Sequence, residues 1–368
     1  MDNFAFIIHP IDPKRDVQRK YPVLGKVLPV VAINFFSRFF PPVYISHITG
    51  VQSQATGQEI EGWFVACPFT PQRMLSLPPN TVYRKISATV KFAQQLGAKL
   101  VGLGAYTSVV GDGGLTISRS VACPVTTGDS YTVAVAVQAV KEAARRMEIA
   151  LPTATAAVVG ATGAIGAVAA ELLARAVPHI ILIGRPADRP ANRLAQVKAK
   201  CEAAGAAAQV TSDLNALRAA DLIVTVTSAL DAIIQPAHLK PGAVVCDVAR
   251  PRDVSRAVAE QRDDVLVIEG GLVAVPGNVD FHFNFGFPPG MAYACMAETM
   301  ALALEGRYES YTLGKDLTIE QVSAIEQIAQ RHGFQLGGFR SFERAVTDEE
   351  IEQIKRNASR MRLRSALD

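Results

Sequence analysis

Three glycines at three-residue spacing mark the first place where this 368-residue chain could do chemistry. They end the apolar, strand-like run 155–160 and open an alanine-rich helical stretch. Glycines permit a tight turn and let the backbone approach a pyrophosphate, which then rests on the N–H groups of the helix. An ordinary glycine turn is the alternative. The residues predicted to bind the dinucleotide are Gly160, Ala161, Thr162, Gly163, Ala164, Ile165 and Gly166.

The next strand-like run, residues 179–185, indicates which dinucleotide is bound. An acidic residue at its end would hold the ribose 2′-hydroxyl of NAD, but the chain has Gly184-Arg185-Pro186 there. An arginine pairs with the 2′-phosphate of NADP. Arg185 therefore favours NADPH, while the nearby Asp188 leaves NAD open as an alternative.

Cysteine is the other residue type here that could do covalent chemistry. The five cysteines lack any Cys-x-x-Cys pair, a pattern that fits a reducing cytoplasm and predicts no metal site. Cys295 lies in an apolar stretch, 291–305, where a cysteine is usually a buried core residue. However, Phe287-Pro288-Pro289-Gly290 should start a helix just upstream, so the helix dipole would favour the thiolate of Cys295. Cys67 is the alternative candidate for the reactive cysteine. Its simpler interpretation is a core residue at the end of a strand.

The elements that position these residues form an α/β fold. Strand-like runs at 155–160, 179–185, 208–211, 222–227, 243–248 and 265–269 alternate with helical or loop segments, which predicts a Rossmann-type parallel sheet. Ligands bind at the carboxyl ends of such strands, so Thr227 and Ser228 are predicted to line the cofactor cleft. Thr347 and Glu350 have the spacing of a capping box.

The remaining segments predict a second, smaller α/β domain. Residues 43–51 and 60–67 indicate a β-hairpin, followed by a helix at 81–96 and a strand at 100–103. C-terminal helices are expected to pack back across the cleft. The expected domains are an N-terminal substrate domain (1–129), a connecting helix (130–150), the NADP-binding domain (151–286) and a helical segment with Cys295 (287–368).

Composition excludes several classes of protein. A net charge of +3 is too small for a general nucleic-acid footprint. The N-terminus has no signal-peptide pattern, and the apolar run 27–40 is shorter than the roughly 20 residues that a membrane span needs.

Hydride attack on a carbonyl group would need hydrogen-bond donors for the oxyanion, and Ser108 and Thr127 are candidates, with simple turn capping as the alternative.

Several motifs in one order resemble the long-chain acyl-[acyl-carrier-protein] reductases known from cyanobacteria. The similarity extends over nearly the whole chain and stops after about Ser341. The matching segments are GAYTSVV at 104–110, TTG at 126–128, the glycine loop at 160–166, EGG at 269–271 and ACMAE at 294–298.

This resemblance implies a cytoplasmic enzyme that reduces a long-chain acyl thioester to a fatty aldehyde with NADPH. The family's acylated cysteine falls on Cys295, and acyl-carrier protein would be the acyl donor, with coenzyme A left open. Candidate docking sites for the acidic carrier are the basic clusters Lys14-Arg15, Arg19-Lys20 and 355–364. Peripheral membrane contact and an aldehyde-consuming enzyme remain open as further partners.

Phenylalanines around 281–287 and at 35–40 fit either an acyl tunnel or a plain core. Two other functions stay open. One is a dehydrogenase of the shikimate or amino-acid type, although no convincing Lys–Asp pair for proton transfer is found. The other is a non-catalytic NADP-binding sensor.

Replacing Arg185 by Asp should reverse the order of cofactor affinity, because a carboxylate repels the 2′-phosphate and accepts a hydrogen bond from a ribose hydroxyl. Fluorescence titration with NADPH and NADH measures both affinities. Equal affinity of the native protein for the two cofactors would contradict the assignment.

Overall fold

The computed structural model describes residues 3–184 and 192–365. The chain divides into two compact units, one formed by Met1–Tyr131 and Val273–Gln335 and the other by Thr132–Leu272 and Leu336–Asp368. The C-terminal segment 287–368 that the sequence suggested is thus shared between both units.

Strands and helices alternate along most of the described chain. The strands are β1 (Asn3–Ile8), β2 (Val43–Gln52), β3 (Glu59–Ala66), β4 (Leu100–Leu103), β5 (Val125–Thr126), β6 (Thr155–Val159), β7 (His179–Ile183), β8 (Ala207–Thr211), β9 (Leu222–Thr225), β10 (Val244–Asp247), β11 (Leu266–Glu269), β12 (Leu272–Ala274), β13 (Met291–Tyr293), β14 (Gln335–Leu336), β15 (Arg340–Ser341) and β16 (Arg344–Ala345). The α-helices are α1 (Pro13–Lys20), α2 (Pro22–Val27), α3 (Val30–Ser37), α4 (Pro71–Ser76), α5 (Pro79–Gln95), α6 (Tyr106–Val109), α7 (Leu115–Ser120), α8 (Asp129–Arg146), α9 (Ala164–Ala174), α10 (Asn192–Ala203), α11 (Arg256–Gln261), α12 (Ala294–Leu304), α13 (Ile319–His332) and α14 (Asp348–Ser365).

The first unit is built on a five-stranded sheet with the order β2-β3-β1-β4-β5. β2 and β3 are antiparallel, which confirms the predicted hairpin, and the other pairings are parallel. The carboxyl ends of β3, β1, β4 and β5 therefore lie along one edge of the sheet. In parallel sheets this edge is where ligands usually bind.

Helix α12 contacts β1, β3 and β4 of this sheet. Gly102 in β4 makes the close approach possible, since a Cβ there would lie 2.2 Å from Thr299 Oγ1. The prediction of one helix over 291–305 is wrong at its start. Residues Met291–Tyr293 form strand β13, so α12 begins at Ala294 with Tyr293 as its N-cap residue.

A buried hydrogen-bond chain ties the β2–β3 hairpin to α13. Ser53 Oγ lies 2.8 Å from His332 Nδ1, and His332 Nε2 lies 2.8 Å from Glu305 Oε2. The order Ser–His–Glu resembles a hydrolytic relay, but Ser53 is only 2% exposed and its hydroxyl also accepts the Ala55 and Thr56 N–H groups. These hydrogen bonds therefore have a structural role and hold the β2–β3 hairpin against α13.

The second unit confirms the predicted Rossmann-type domain. Its six parallel strands have the order β11-β10-β9-β6-β7-β8. Successive strands are added on one side of β6 as far as β8 and then on its other side from β9 to β11, so the strand order reverses between β6 and β9. This is the doubly wound arrangement that binds dinucleotides at the point of reversal.

The last part of the chain, Leu336–Asp368, belongs to the second unit. The predicted capping box at the start of α14 is present, since the Glu350 N–H donates to Thr347 Oγ and the Thr347 N–H donates to Glu350 Oε2. Lys355 on this helix lies 2.6 Å from Glu148 Oε1. Among the described helices, none has the length and apolar character that crossing a bilayer requires.

Candidate active site

The glycine loop of the second unit makes a tight turn between β6 and α9. Gly160, directly after β6, has a φ of +86°, and a Cβ on it would lie 2.4 Å from the Val226 carbonyl oxygen. A Cβ on Gly166 would lie 2.3 Å from the Gly160 carbonyl oxygen. The first glycine thus makes the turn, and the last one lets α9 pack against it.

The start of α9 fits a phosphate group. Gly163 is its N-cap residue and supplies no side-chain hydrogen bond, so no side chain caps the first-turn N–H groups of Ala164, Ile165 and Gly166. With the helix dipole, these amides favour a bound anion. Ala161 and Thr162 complete the turn between β6 and α9.

A buried aspartate shapes the neighbouring loop, where Thr227 and Ser228 follow β9. Asp253 accepts hydrogen bonds from the Thr225 hydroxyl at 2.6 Å, the Thr227 hydroxyl at 2.5 Å and the Thr227 N–H at 2.9 Å. The Thr227 hydroxyl hydrogen is therefore committed to the protein. Sequence reasoning missed Asp253, because no local motif marks it.

Arg185 lies outside the described residues, since the description stops at Gly184 and resumes at Asn192. The expected preference for NADPH through Arg185 stays a prediction.

A second set of candidate residues meets in the first unit, where the segment after β5 touches the start of α12. Gly128 has a φ of +77°, and a Cβ on it would lie 2.3 Å from Cys295 Cα and 2.4 Å from Cys295 Cβ. The TTG motif and the ACMAE motif, far apart in sequence, therefore pack directly on one another.

Cys295 differs from the other four cysteines, all of which lie in the described residues. It is the second residue of α12 and is partly exposed. The fully buried cysteines are Cys67, Cys123, Cys201 and Cys246. Cys67 lies at the end of β3 within the hydrophobic core of the unit, as its simpler interpretation predicted.

Glu298 holds the segment after β5 in place. This fully buried carboxyl group accepts hydrogen bonds from the Thr126 hydroxyl at 2.5 Å and from the Tyr131 N–H at 2.9 Å. Thr312 Oγ lies 2.9 Å from Glu298 Oε1 and 2.8 Å from Ser130 Oγ. One side chain on α12 thus fixes both sides of Gly128.

The electrostatics around Cys295 contradict the prediction that the helix dipole lowers its pKa. Burial, with the nearby Asp129 and Glu298 carboxyl groups, raises the pKa of the Cys295 thiol to about 12. Burial and the charge of Glu298 also raise the pKa of Asp129, to about 7. Asp129 and Cys295 are both residues of intermediate exposure, and the charge of an ionised Asp129 opposes ionisation of the Cys295 thiol.

The predicted oxyanion donors differ in their hydrogen bonding. The Ser108 hydroxyl donates to the Ala105 carbonyl oxygen at 2.7 Å, in the short helix α6. The Thr127 hydroxyl is buried and makes no hydrogen bond of ordinary geometry within the described residues. It lies close enough to Asp129 to favour the ionised form of that carboxyl group against the effect of burial. Of the two, Thr127 is the one whose hydroxyl is not tied to a backbone carbonyl group, and the Asp129 carboxylate is its nearby acceptor.

His9, which sequence reasoning passed over, follows β1 at the carboxyl edge of the sheet. Its Nε2 accepts the Tyr106 N–H at 3.0 Å, and burial lowers the pKa of His9 to about 4. The imidazole is therefore neutral and carries its proton on Nδ1. No local pattern in the sequence separates this histidine from the other five.

Comparison with known proteins identifies relatives of both units. The long-chain acyl-[acyl-carrier-protein] reductase of Synechococcus elongatus is 31% identical over 310 residues, which cover 80% of this chain and 87% of that protein. The chain belongs to this reductase family. A family model described as shikimate / quinate 5-dehydrogenase matches residues 141–269.

More distant or partial matches complete the comparison. The aminotransferase PigE of Serratia sp. is 31% identical over 308 residues, 83% of this chain, but the chain spans only 36% of PigE. The L-tryptophan dehydrogenase of Nostoc punctiforme has a TM-score of 0.41 at 11% identity, over 97% of this chain and 88% of that one. Together with the fold, membership of the reductase family supports a nicotinamide-dependent oxidoreductase.

In this reductase-family chain, replacing Gly128 by Ala should alter the reactivity of Cys295, because the new methyl group would overlap its Cα and Cβ atoms. Gly57→Ala is the matched control, since Gly57 also has a positive φ, +70°, but nothing lies within 4 Å of its added Cβ. Both variants should lose about 1 kcal/mol of stability from backbone strain, and Gly128→Ala should lose about 1–3 kcal/mol more from the overlap with Cys295.

The readout is the rate at which iodoacetamide alkylates Cys295, followed by peptide mass spectrometry, together with thermal melting. Only Gly128→Ala should change the alkylation rate, by about tenfold or more. Equal alkylation rates in the two variants would show that the contact does not control the thiol.

Proposed function

We propose that this protein reduces a long-chain acyl thioester to a fatty aldehyde with NADPH, through an acyl group carried on Cys295. The observation that carries the proposal is the packing of Gly128 against Cys295, which places the one partly exposed cysteine beside the Asp129 carboxyl group. Transfer from one thioester to another is nearly neutral in energy and requires only a deprotonated thiol.

Asp129 is the proton acceptor for the first step. With a pKa of about 7 it is partly ionised near neutral pH and can take the Cys295 proton as the sulfur attacks the thioester carbonyl. The bond from the carbonyl carbon to the donor's sulfur then breaks, and the departing thiolate receives that proton from Asp129. The products are acyl-Cys295 and the free donor thiol.

The second step releases the aldehyde. NADPH, when bound at the glycine loop, supplies the hydride for the acyl carbon. The Thr127 hydroxyl is the candidate donor to the oxyanion that develops on the acyl oxygen, since protonation of Asp129 removes the carboxylate that otherwise attracts its hydrogen. Asp129 gave its proton to the donor thiol in the first step, so it first takes up a proton from solvent. Collapse of the intermediate then breaks the bond to Cys295, and Asp129 passes this proton to the departing thiolate.

A row of aromatic rings offers an apolar wall for the acyl chain. Phe64 in β3 contacts Phe281 at 5.7 Å between ring centroids, and Phe281 contacts Phe285 at 5.1 Å. The row continues through Phe287 to Tyr293, the N-cap residue of α12, with centroids 5.5 and 4.3 Å apart. Apolar rings that lead to the residue two before Cys295 favour a hydrophobic acyl group.

Acyl-carrier protein is the proposed acyl donor, as the name of the Synechococcus relative suggests. Its docking surface would be basic. In the cluster 355–364, Lys355 already pairs with Glu148 and Glu352, and Arg362 donates to the Pro241 carbonyl oxygen. Arg19 likewise pairs with Asp16 at 3.1 Å, and Lys20 donates to the Ile45 carbonyl oxygen at 2.8 Å, so all three clusters remain candidates.

The decisive experiment is to incubate the enzyme with palmitoyl-carrier protein without NADPH and to search for an acyl mass adduct. The adduct should lie on the peptide that contains Cys295, and Cys295→Ala should abolish both the adduct and aldehyde formation upon NADPH addition. Cys67→Ala is the matched control, because Cys67 is buried in the core. An adduct on Cys67, or full aldehyde formation by Cys295→Ala, would overturn the proposal.

The role of Asp129 predicts a characteristic pH profile. The rate of Cys295 acylation should rise with pH to a plateau, with a midpoint near the Asp129 pKa of about 7. Asp129→Asn should be slower at pH 7 by about 10²-fold and should lose this midpoint, rising instead towards alkaline pH. Stopped-flow or quenched acylation assays between pH 5.5 and 9 measure both profiles.

A stability measurement separates the base from a merely structural residue. The folded-state pKa of Asp129 lies above its usual value of 3.8, so ionisation of this group costs stability as pH rises through about 7. Asp129→Asn should therefore melt at a higher temperature than the native protein at pH 8 while reacting more slowly. Asp263→Asn, at an exposed position of the second unit, should change neither property, and an unchanged profile for Asp129→Asn would contradict the assignment.

A further inference from the structure

The segment that contains α2 and α3 exposes apolar side chains to an unusual extent. Val23, Val27 and Val31 are 74%, 72% and 79% exposed, and Phe35 and Phe39 are 52% and 64% exposed. The expectation that the phenylalanines at 35–40 line a tunnel or a core is therefore wrong. Soluble domains rarely leave so many large apolar side chains together on their surface unless the patch binds something.

This exposure is not a sign of a loosely attached segment. Ile33 and Ser37 on the inner side of α3 are buried. Asn34 between them accepts a hydrogen bond from the Thr70 hydroxyl at 2.6 Å and donates to Gln72 Oε1 at 2.8 Å. Gly25 lets α2 pack on α1, since a Cβ there would lie 2.4 Å from the Gln18 backbone. The helices are held in place with their apolar side outward.

The outward side chains form a continuous apolar ridge on α3. Val31 and Phe35 are one helical turn apart and therefore project from the same side. The ring of Phe35 contacts those of Phe36 and Phe39, with centroids 5.3 and 5.9 Å apart. Val23 and Val27 repeat the same spacing on α2.

Basic residues predominate in the segment that carries this ridge. Residues 13–40 contain six Lys or Arg side chains and one acidic side chain, Asp16. Lys26 lies in the last turn of α2, and the Arg38 guanidinium lies 5.0 Å from the centre of the Phe39 ring. An apolar surface framed by positive charge matches the interface of an anionic bilayer, where acyl chains take up the apolar groups and phosphates meet the basic ones.

We infer that α2, α3 and the following residues to Phe40 form a membrane-contact surface that binds anionic lipid bilayers. The inference rests on exposure, anchoring and charge, and it does not depend on the reaction proposed for Cys295. An acidic protein or a second copy of the chain would also cover an apolar surface, but a bilayer matches the ridge and its basic frame together.

The test is flotation of the full-length protein with phosphatidylcholine vesicles that contain about 30% phosphatidylglycerol, compared with phosphatidylcholine alone. The protein should float with the anionic vesicles, and less so as salt is raised. Combining Val31→Ser, Phe35→Ser and Phe39→Ser should lower the partition coefficient by about 100-fold. Val210→Ser with Leu230→Ser, which removes exposed apolar side chains of the second unit, should leave flotation unchanged.

A second variant reports insertion directly and does not depend on the stability of the triple variant. Phe39→Trp in a Trp63→Phe background should show a blue shift of its emission with anionic vesicles and quenching by brominated lipid. Failure of the native protein to float, or equal flotation of the triple variant, would overturn the inference. Self-association or carrier-protein binding that the triple substitution abolishes while vesicle binding persists would also overturn it.

Discussion

The candidate acyl site depends on a single buried carboxyl group. Glu298 lies one turn along α12 from Cys295. It accepts hydrogen bonds from the Thr126 hydroxyl and the Tyr131 N–H, which lie on opposite sides of Gly128 in the sequence. A buried carboxyl group without partners would be costly, so these donors cannot leave it without loss of stability. The consequence is that Gly128 is pressed onto Cys295 and that Asp129 begins α8 beside the thiol.

The same carboxyl group sets the charge balance of the site. Its negative charge contributes to raising the pKa of both Asp129 and Cys295, although burial is the larger cause in each case. Two carboxyl groups and a thiol that disfavour each other's ionisation tend to share protons. Such a cluster is suited to a reaction in which a proton leaves a thiol in one step and returns to it later.

The sequence predicted the second unit better than the first because its signals are local. The turn at the glycine loop, the alternation of strands and helices and the capping box at Thr347 each depend on residues close together in the chain, and the structure confirms these local elements, whereas dinucleotide binding by the loop stays a prediction. Cys295 could be singled out by its motif, but its environment could not. Asp129 acquires its significance from Glu298, and Asp253 from Thr227, through contacts that only the folded chain creates.

Two further differences between the predicted and the observed structure also arise from contacts between residues far apart in the sequence. The start of α12 at Ala294 rather than Met291 follows from the pairing of β13 in a small sheet, a non-local interaction that an apolar run does not reveal. The phenylalanines at 35–40 are equally apolar whether buried or exposed, so composition alone favoured the interior. Their exposure follows from a non-local contact, since the hydrogen bond from Thr70 to Asn34 holds α3 by its inner side.

A thiol of high pKa has consequences in both directions of the proposed reaction. Its thiolate is rare but intrinsically more nucleophilic than that of an acidic thiol, and as a leaving group it departs more slowly. An acyl group on Cys295 would thus be lost less readily to other thiols while it awaits hydride. The cost is that both formation and cleavage of the bond need a proton carrier close to the sulfur. A helix dipole alone, as the position of Cys295 first suggested, would stabilise the thiolate but could not return a proton, whereas the Asp129 carboxyl group disfavours the thiolate but can accept its proton and supply one later.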